Sequence, residues 1–122
     1  MPNIKSIKAK GRRLQNYVRD QLRTVFVKEW ERLPRLKEDD IKSQTMGMTG
    51  EDIVLSPAAK KLIPFSFECK NQERLNLWKS IEQAEENAED RTPVLVFKRN
   101  GSKTYATIEF KSLLKLLRRV YD

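Results

Sequence analysis

Two carboxylates and a lysine lie beside two short apolar runs of the sequence. Asp52 immediately precedes the apolar run 53–55, and Glu68 and Lys70 end a second run, 62–70. Because strand residues alternate between two faces, Glu68 and Lys70 share a face. Adjacent carboxylates repel each other unless a proton or a cation lies between them, and Mg²⁺ takes oxygen ligands. If the two runs pair as neighbouring strands, the sequence predicts a divalent-metal site at Asp52 and Glu68.

The absence of histidine and the single cysteine narrow the chemistry. Without histidine, Ser–His hydrolases, His-dependent nucleases and His-containing zinc sites are excluded, and one cysteine excludes Cys-only zinc sites. Any metal must therefore be held mainly by oxygen. Cys69 alternates onto the face opposite Glu68, so we predict a packed core thiol rather than a nucleophile.

The elements that would position these groups follow from the spacing of apolar residues. Three segments have helical spacing and are predicted helices: about 10–30, 75–89 and 110–120. The predicted strands are 52–55, 62–70, 94–97 and 104–108, with a short strand or turn around 41–43 in a loop over 34–50. The result is a single α/β domain over 10–122, a central mixed sheet flanked by helices in the order αββ-αβ(β)α. We expect residues 1–9 to form a basic flexible arm before it.

Positive charge is concentrated in the first third of the chain. Residues 1–37 contain eleven Lys and Arg against three acids, whereas the remaining residues carry equal numbers of each, so this part holds the whole net charge of +8. A polyanion, and nucleic acid above all, is the natural partner of so local a charge, although a solvated basic helix without a partner is the alternative. The predicted phosphate contacts are Lys5, Lys8, Lys10, Arg12 and Arg13.

Asp52, a step of sixteen positions, and Glu68-x-Lys70 within strand-like runs resemble the PD-(D/E)XK nuclease superfamily. Within it, the chain is most similar to small Holliday-junction resolvases of the archaeal and phage type, over about residues 8–98. The resemblance implies a restriction-endonuclease-like core. It also implies hydrolysis of phosphodiesters in branched double-stranded DNA with Mg²⁺, or with Mn²⁺ in its place.

The resemblance also assigns roles to individual residues. Asp52 and Glu68 would bind the metal, and Lys70 would orient the attacking water or stabilise charge on the phosphate. Gln72 would stay on the same side if the strand continues. Gln15 matches a position where the family often has a glutamate that reaches the metal through water, and glutamine cannot supply that charge.

Each of these residues also has an ordinary structural interpretation. Asp52 fits a turn acid at the start of a strand, and Glu68 with Lys70 fits a surface salt bridge. Glu51 would replace Asp52 as ligand if the strand register were shifted by one residue. Ser43 loosely matches a serine that archaeal-type resolvases carry about ten residues before the aspartate, and it fits a turn serine equally well.

Resolving a four-way junction requires two strands to be cut, so the resemblance favours a symmetric homodimer. The last helix, with Trp78 and Phe110, is the candidate interface. A reducing cytoplasm, that of the host if the chain is phage-encoded, fits the single cysteine, and we expect no membrane and no small-molecule cofactor. Two rivals stay open: a PD-(D/E)XK DNA nuclease with a nicking or repair role, and a non-catalytic nucleic-acid-binding protein on the same fold.

Overall fold

A computed structural model describes residues 3–121. Its α-helices are α1 (Ile4–Arg23), α2 (Pro57–Leu62), α3 (Leu77–Ala88) and α4 (Phe110–Tyr121). Its strands are β1 (Ile41–Ser43), β2 (Ile53–Leu55), β3 (Phe65–Asn71), β4 (Thr92–Lys98) and β5 (Tyr105–Thr107). A π-helical turn, Thr24–Lys28, follows α1, and a 3₁₀ turn, Glu38–Asp40, precedes β1. The predicted fold class, an α/β core with a mixed sheet flanked by helices, is confirmed.

The strands form a three-stranded mixed sheet and a separate antiparallel pair. β4 lies in the middle of the larger sheet, parallel to β3 and antiparallel to β5, while β1 pairs with β2. α3 makes the crossover between the two parallel strands, as parallel pairing requires. The middle of β4 is apolar and buried, as expected for a strand covered on both faces. The register places Glu68 of β3 opposite Leu95 of β4.

The predicted pairing of the two apolar runs takes a different form. β2 makes its ladder with β1, and its link to β3 is a hydrogen bond from the Asp52 amide to the Phe67 carbonyl, at 3.0 Å. The side chain of Asp52 adds a second bond to β3, described below. The two runs are therefore neighbours at Asp52 without forming a continuous ladder.

α1 begins six residues earlier than the apolar spacing suggested. Asn3 caps it by accepting a hydrogen bond from the Ser6 amide at 2.8 Å, which is the usual role of asparagine at a helix start. The segment predicted to be a basic arm, 1–9, therefore contains the first turns of α1 from Ile4 onward. Met1 and Pro2 lie outside the described residues. One side of α1 packs into the core through Leu14 and Val18.

The core lies between α1, the antiparallel pair and the β3–β4 half of the sheet. Its buried residues are Leu14, Val18, Leu36, Ile41, Ile53, Leu55, Ala59, Ile63, Phe67, Cys69, Val94 and Val96. α4 contributes nothing to it: the sequence allowed this helix to cover the sheet, yet none of its twelve residues is buried. Within 3–121, no helix combines the length and apolar character needed to cross a bilayer.

Candidate active site

Asp52 is held in place by two bonds to β3. Its Oδ2 accepts a hydrogen bond from the Cys69 amide at 2.7 Å, and its own amide donates to the Phe67 carbonyl. Cys69 and Phe67 flank Glu68 in sequence, so both bonds place Asp52 beside that residue. The chain thus brings together two acids sixteen positions apart, as the sequence predicted.

Glu68 is only 4% exposed, in the middle of β3. Its Oε2 accepts a hydrogen bond from Asn87 Nδ2 of α3 at 3.2 Å. Lys70 Nζ lies 4.0 Å from Glu68 Oε1 and keeps partial access to solvent. An ammonium group therefore lies beside the two carboxylates, on the face that strand alternation predicted.

Burial raises the pKa values of both acids, and at Glu68 the charge of Asp52 adds to the rise. Burial, followed by the charge of Asp52, raises the pKa of Glu68 to about 7, although Asn87 and Lys70 oppose the shift. Burial also raises the pKa of Asp52 above its ordinary value of 3.8, and the Cys69 amide and Lys70 hold it down in part. Cys69 is a buried thiol whose pKa is raised by burial and by the two acids, which agrees with its predicted place in the core and makes it a poor nucleophile.

A polar pocket of about 270 Å³ opens in front of these groups. It is bordered by α1, β3, the loop before β2 and one residue of α3. Of the residues singled out from the sequence, it is lined by Lys8, Gln15, Asp52, Glu68, Cys69, Lys70 and Gln72. Gly47 and Gly50 have positive φ angles, at which glycine is favoured, and they shape the loop that forms one wall.

Gln15 is buried and supports the loop that carries Asp52. Its Nε2 donates to the Gln44 carbonyl at 2.9 Å and to the Asp52 carbonyl at 2.6 Å, while the Gln44 amide donates to the Asp52 carbonyl at 2.8 Å. Both ends of the loop are thereby closed. A carboxylate at this position could make neither side-chain bond, because a carboxylate and a backbone carbonyl are both hydrogen-bond acceptors. This explains why glutamine occupies the position.

Glu51 makes hydrogen bonds of its own and does not take the place of Asp52 at the site. Its Oε2 accepts hydrogen bonds from Arg91 and, at 3.1 Å, from Ser66 Oγ. Arg91 also donates to the Phe65 carbonyl at 2.9 Å. Both members of the ion pair are largely buried. The one-residue register shift that would have made Glu51 a ligand is therefore absent.

The protein family described as "Phage putative PDDEXK endonuclease" matches residues 6–121. The chain belongs to this family. The predicted PD-(D/E)XK superfamily is thereby confirmed, and with it the expectation of a nuclease. No curated protein and no solved structure matches the chain.

PD-(D/E)XK nucleases generally use divalent metals, and the carboxylates here suit one. Asp52 and Glu68 offer hard oxygen donors that repel each other without a cation, which is the arrangement that a divalent ion stabilises. Within 3–121, no group of three or more His, Cys, Asp or Glu side chains is arranged so that it could hold a metal ion by itself. Glu38, Asp39 and Asp40 form the 3₁₀ turn before β1 and do not line the pocket, so they add no carboxylate to it.

Gln72 lies at the edge of the pocket, whereas Ser43 lies outside it. Gln72 borders the pocket, exposed, and its amide donates to the Lys98 carbonyl at 3.1 Å, which prolongs the pairing of β3 with β4. Ser43 lies on β1 outside the pocket, and its Oγ donates to Asn16 Oδ1 of α1 at 2.8 Å. In this structure the serine joins β1 to α1.

The basic residues of α1 lie on two sides of the helix. At 3.6 residues per turn, Lys8 is about 20° from Gln15 around the axis, Arg12 about 60° and Lys5 about 80°. Arg13 and Lys10 are about 160° and 140° away. Lys8 lines the pocket, and the Lys10 carbonyl accepts a hydrogen bond from Asn71 Nδ2 at 3.4 Å. Lys5, Lys8 and Arg12 therefore form the basic edge nearest the acids.

Two residues at the site, Asn87 and Gln83 of α3, were not predicted from the sequence. Asn87 bonds Glu68, and Gln83 lines the pocket one turn before it. Both stand within a helix that also carries three exposed glutamates, Glu82, Glu85 and Glu86. Two amides spaced four apart on an acidic helix were the available signal, because they share one face.

Proposed function

We propose that the protein is a divalent-metal-dependent endodeoxyribonuclease that resolves Holliday junctions or similarly branched DNA. The observation that carries the proposal is the grouping of Asp52, Glu68 and Lys70 at one pocket, beside a basic helix. Family membership supports a nuclease, and the pocket supplies residues with which one could work.

Asp52 and Glu68 are the proposed metal ligands, with Mg²⁺ as the expected ion and Mn²⁺ as a substitute. A bound divalent ion would supply charge neutralisation at the scissile phosphate and a more acidic water. Lys70 would hold the water or stabilise the charge that develops on the phosphate oxygens. Asn87 and the Cys69 amide would fix the carboxylates, and Gln15 would fix the loop that carries Asp52. Gln72 would contact the substrate at the rim.

Lys5, Lys8 and Arg12 are the proposed contacts to the DNA backbone. They lie on the side of α1 nearest the acids. If they bind one phosphate of a DNA strand, the next phosphate of that strand would lie at the pocket. Contacts of this kind position a duplex without reading its bases. Lys10, Arg13 and Ser43 keep a secondary place in this proposal. Lys10 and Arg13 lie about 140° and 160° around α1 from Gln15, and the Ser43 hydroxyl donates to Asn16.

Branched DNA and a homodimer belong together in this proposal. Two strands of a four-way junction must be cut, at symmetry-related positions. A twofold symmetric dimer presents two active sites in the matching orientation. The chain has no separate unit for sequence recognition among residues 3–121, which favours recognition of DNA shape. A DNA substrate and a free buried thiol fit action in the reducing cytoplasm of a phage host.

Comparison of three substrates tests the choice of DNA. Purified protein with Mg²⁺ should introduce paired, symmetric nicks in a labelled four-way junction and leave a matched linear duplex and a flap intact. Equal cleavage of all three substrates would keep the nuclease and exclude a resolvase. Tight DNA binding without cleavage of any substrate would favour a non-catalytic binding protein.

A further inference from the structure

A second pocket, of about 440 Å³, lies between α3, the sheet and the start of α4. We call it the apolar groove; it is lined by Leu77, Trp78 and Ile81 of α3, Leu95 of β4, and Ile108 to Phe110. Trp78 is 76% exposed and Phe110 68% exposed at its edges. Large aromatic side chains so open to water usually mark a surface that another molecule covers.

α4 has an apolar face that its own chain leaves open. Leu113, Leu117 and Val120 are all substantially exposed, on the same side as Phe110. The helix cannot turn back into the apolar groove of its own copy, because Glu109 and Phe110 already form the groove's edge where α4 begins. The groove and the α4 face are thus two uncovered apolar surfaces on one molecule.

The charges around these two surfaces have opposite signs. Glu85 and Glu109 line the apolar groove, and Glu82 and Glu86 lie on the exposed side of α3. α4, in contrast, carries only bases: Lys111, Lys115, Arg118 and Arg119. Lys111 and Arg118 are seven residues apart, so they border the apolar face of α4 along one edge. A basic-edged apolar helix therefore matches an acid-edged apolar groove.

We propose that the apolar groove binds α4 of a second copy of this chain, in a twofold symmetric dimer. Each α4 would place its apolar face in the partner's groove, with Lys111 and Arg118 against Glu85 and Glu109. Because both surfaces belong to every copy, one rotation satisfies both contacts and closes the assembly. The inference rests on the proposed function for the expectation of a dimer, and it adds the surface and its charges.

Exchanging the charges gives a test that separates loss of pairing from loss of folding. Glu85→Lys would set a base against the partner's bases, and Lys111→Glu with Arg118→Glu would set acids against acids. We expect each variant alone to self-associate at least about tenfold more weakly than wild type in sedimentation equilibrium. An equimolar mixture of the two variants should recover most of the lost affinity. One contact then has the wild-type charges, and in the other the Glu85→Lys base faces the introduced acids, so that Glu109 alone is left against like charge.

A charge change outside the groove is the control. Glu86→Lys makes the same charge change about 100° further round α3 and should leave self-association unchanged. If both charge-reversed variants dimerise as tightly as wild type, the dimer uses another surface and this proposal fails, while the dimer itself stands. If wild type is monomeric, another occupant covers the groove and both the surface and the proposed dimer fail. Absence of DNA cleavage would leave all of these readouts intact.

Discussion

Glu68 is the residue whose environment is least expected for an ordinary strand position. It is buried, it faces the charge of Asp52, and its pKa is raised from 4.5 to about 7. Such an arrangement costs stability whenever both acids are ionised. A site with this cost is typical of a place where a cation completes the structure, because the Asn87 amide carries no charge and the one ammonium group of Lys70 does not balance two carboxylates.

The stability of the metal-free protein should depend on pH through Glu68. Folded protein holds the Glu68 proton more tightly than unfolded protein does, so this stabilisation is present below about pH 4.5 and is lost as the pH rises through about 7. We predict that Glu68→Gln is more stable than wild type by about 2 kcal/mol at pH 8, with a much smaller difference at pH 5. Urea unfolding with a chelator at both pH values measures this. An equal difference at the two pH values would contradict it.

Gln15 stands where the family often has a glutamate, and its hydrogen bonds give the glutamine a structural role of its own. Restoring the acid, Gln15→Glu, should remove two hydrogen bonds and set a carboxylate against the Gln44 and Asp52 carbonyls. We predict a loss of about 1–3 kcal/mol in the free energy of unfolding and slower cleavage. Gln21→Glu, at an exposed position of the same helix, is the control. Faster cleavage by Gln15→Glu would show that the position serves the metal instead.

At the scale of elements, the sequence pattern predicted the three long α-helices and four of the five strands, left β1 open between a strand and a turn, and did not include the short α2 in the predicted order of elements. It failed at the start of α1, because Asn3 adds a cap that periodicity does not register, and at its end, where a π-helical turn replaces the last α-helical turns. The two acids of the candidate site were predictable, since Asp52 and Glu68 interrupt apolar runs. Asn87 was not, because its bond to Glu68 depends on how α3 packs against β3.

The basic edge of α1 should bind DNA, whereas the opposite side should not. We predict that Lys8→Ala with Arg12→Ala lowers affinity for a four-way junction about tenfold or more. The slope of log affinity against log salt should fall by about 2, since two phosphate contacts are lost. Binding is measured with a chelator present to prevent cleavage. The control, Lys10→Ala with Arg13→Ala, removes the same charge from the other side of the helix, and an equal effect there would contradict the assignment.

The ion pair between Glu51 and Arg91 ties the loop before β2 to the start of β4. Arg91 also holds the Phe65 carbonyl, so one side chain fixes three segments around the pocket. We predict that Arg91→Ala lowers the free energy of unfolding by about 3 kcal/mol, because Glu51 is then left largely buried without its partner. Arg99→Ala, on the exposed hairpin turn, should have almost no effect in the same unfolding experiment. Comparable losses of unfolding free energy in Arg91→Ala and Arg99→Ala would show that the buried ion pair contributes little to stability.

At the scale of the whole molecule, the two pockets differ in chemical character: one is polar and the other apolar. The polar pocket collects the acids, the lysine and the basic edge of α1, whereas the apolar groove collects exposed aromatic residues between oppositely charged helices. The sequence predicted one continuous sheet order, but not that β1 and β2 would pair apart from the other three strands. That division depends on long-range packing around Asp52, which no local pattern encodes.

The most direct test of the central assignment is the rate of DNA strand cleavage by wild type, Asp52→Asn and Glu51→Gln. Wild type should cut a four-way junction with Mg²⁺ and not with EDTA. Asp52→Asn should be slower by about 100-fold or more, since it loses a charged ligand. Glu51→Gln, changed at the neighbouring acid, should keep most of the wild-type rate. Cleavage that persists in EDTA, or that is unaffected by Asp52→Asn, would contradict an active site built on Asp52 and Glu68.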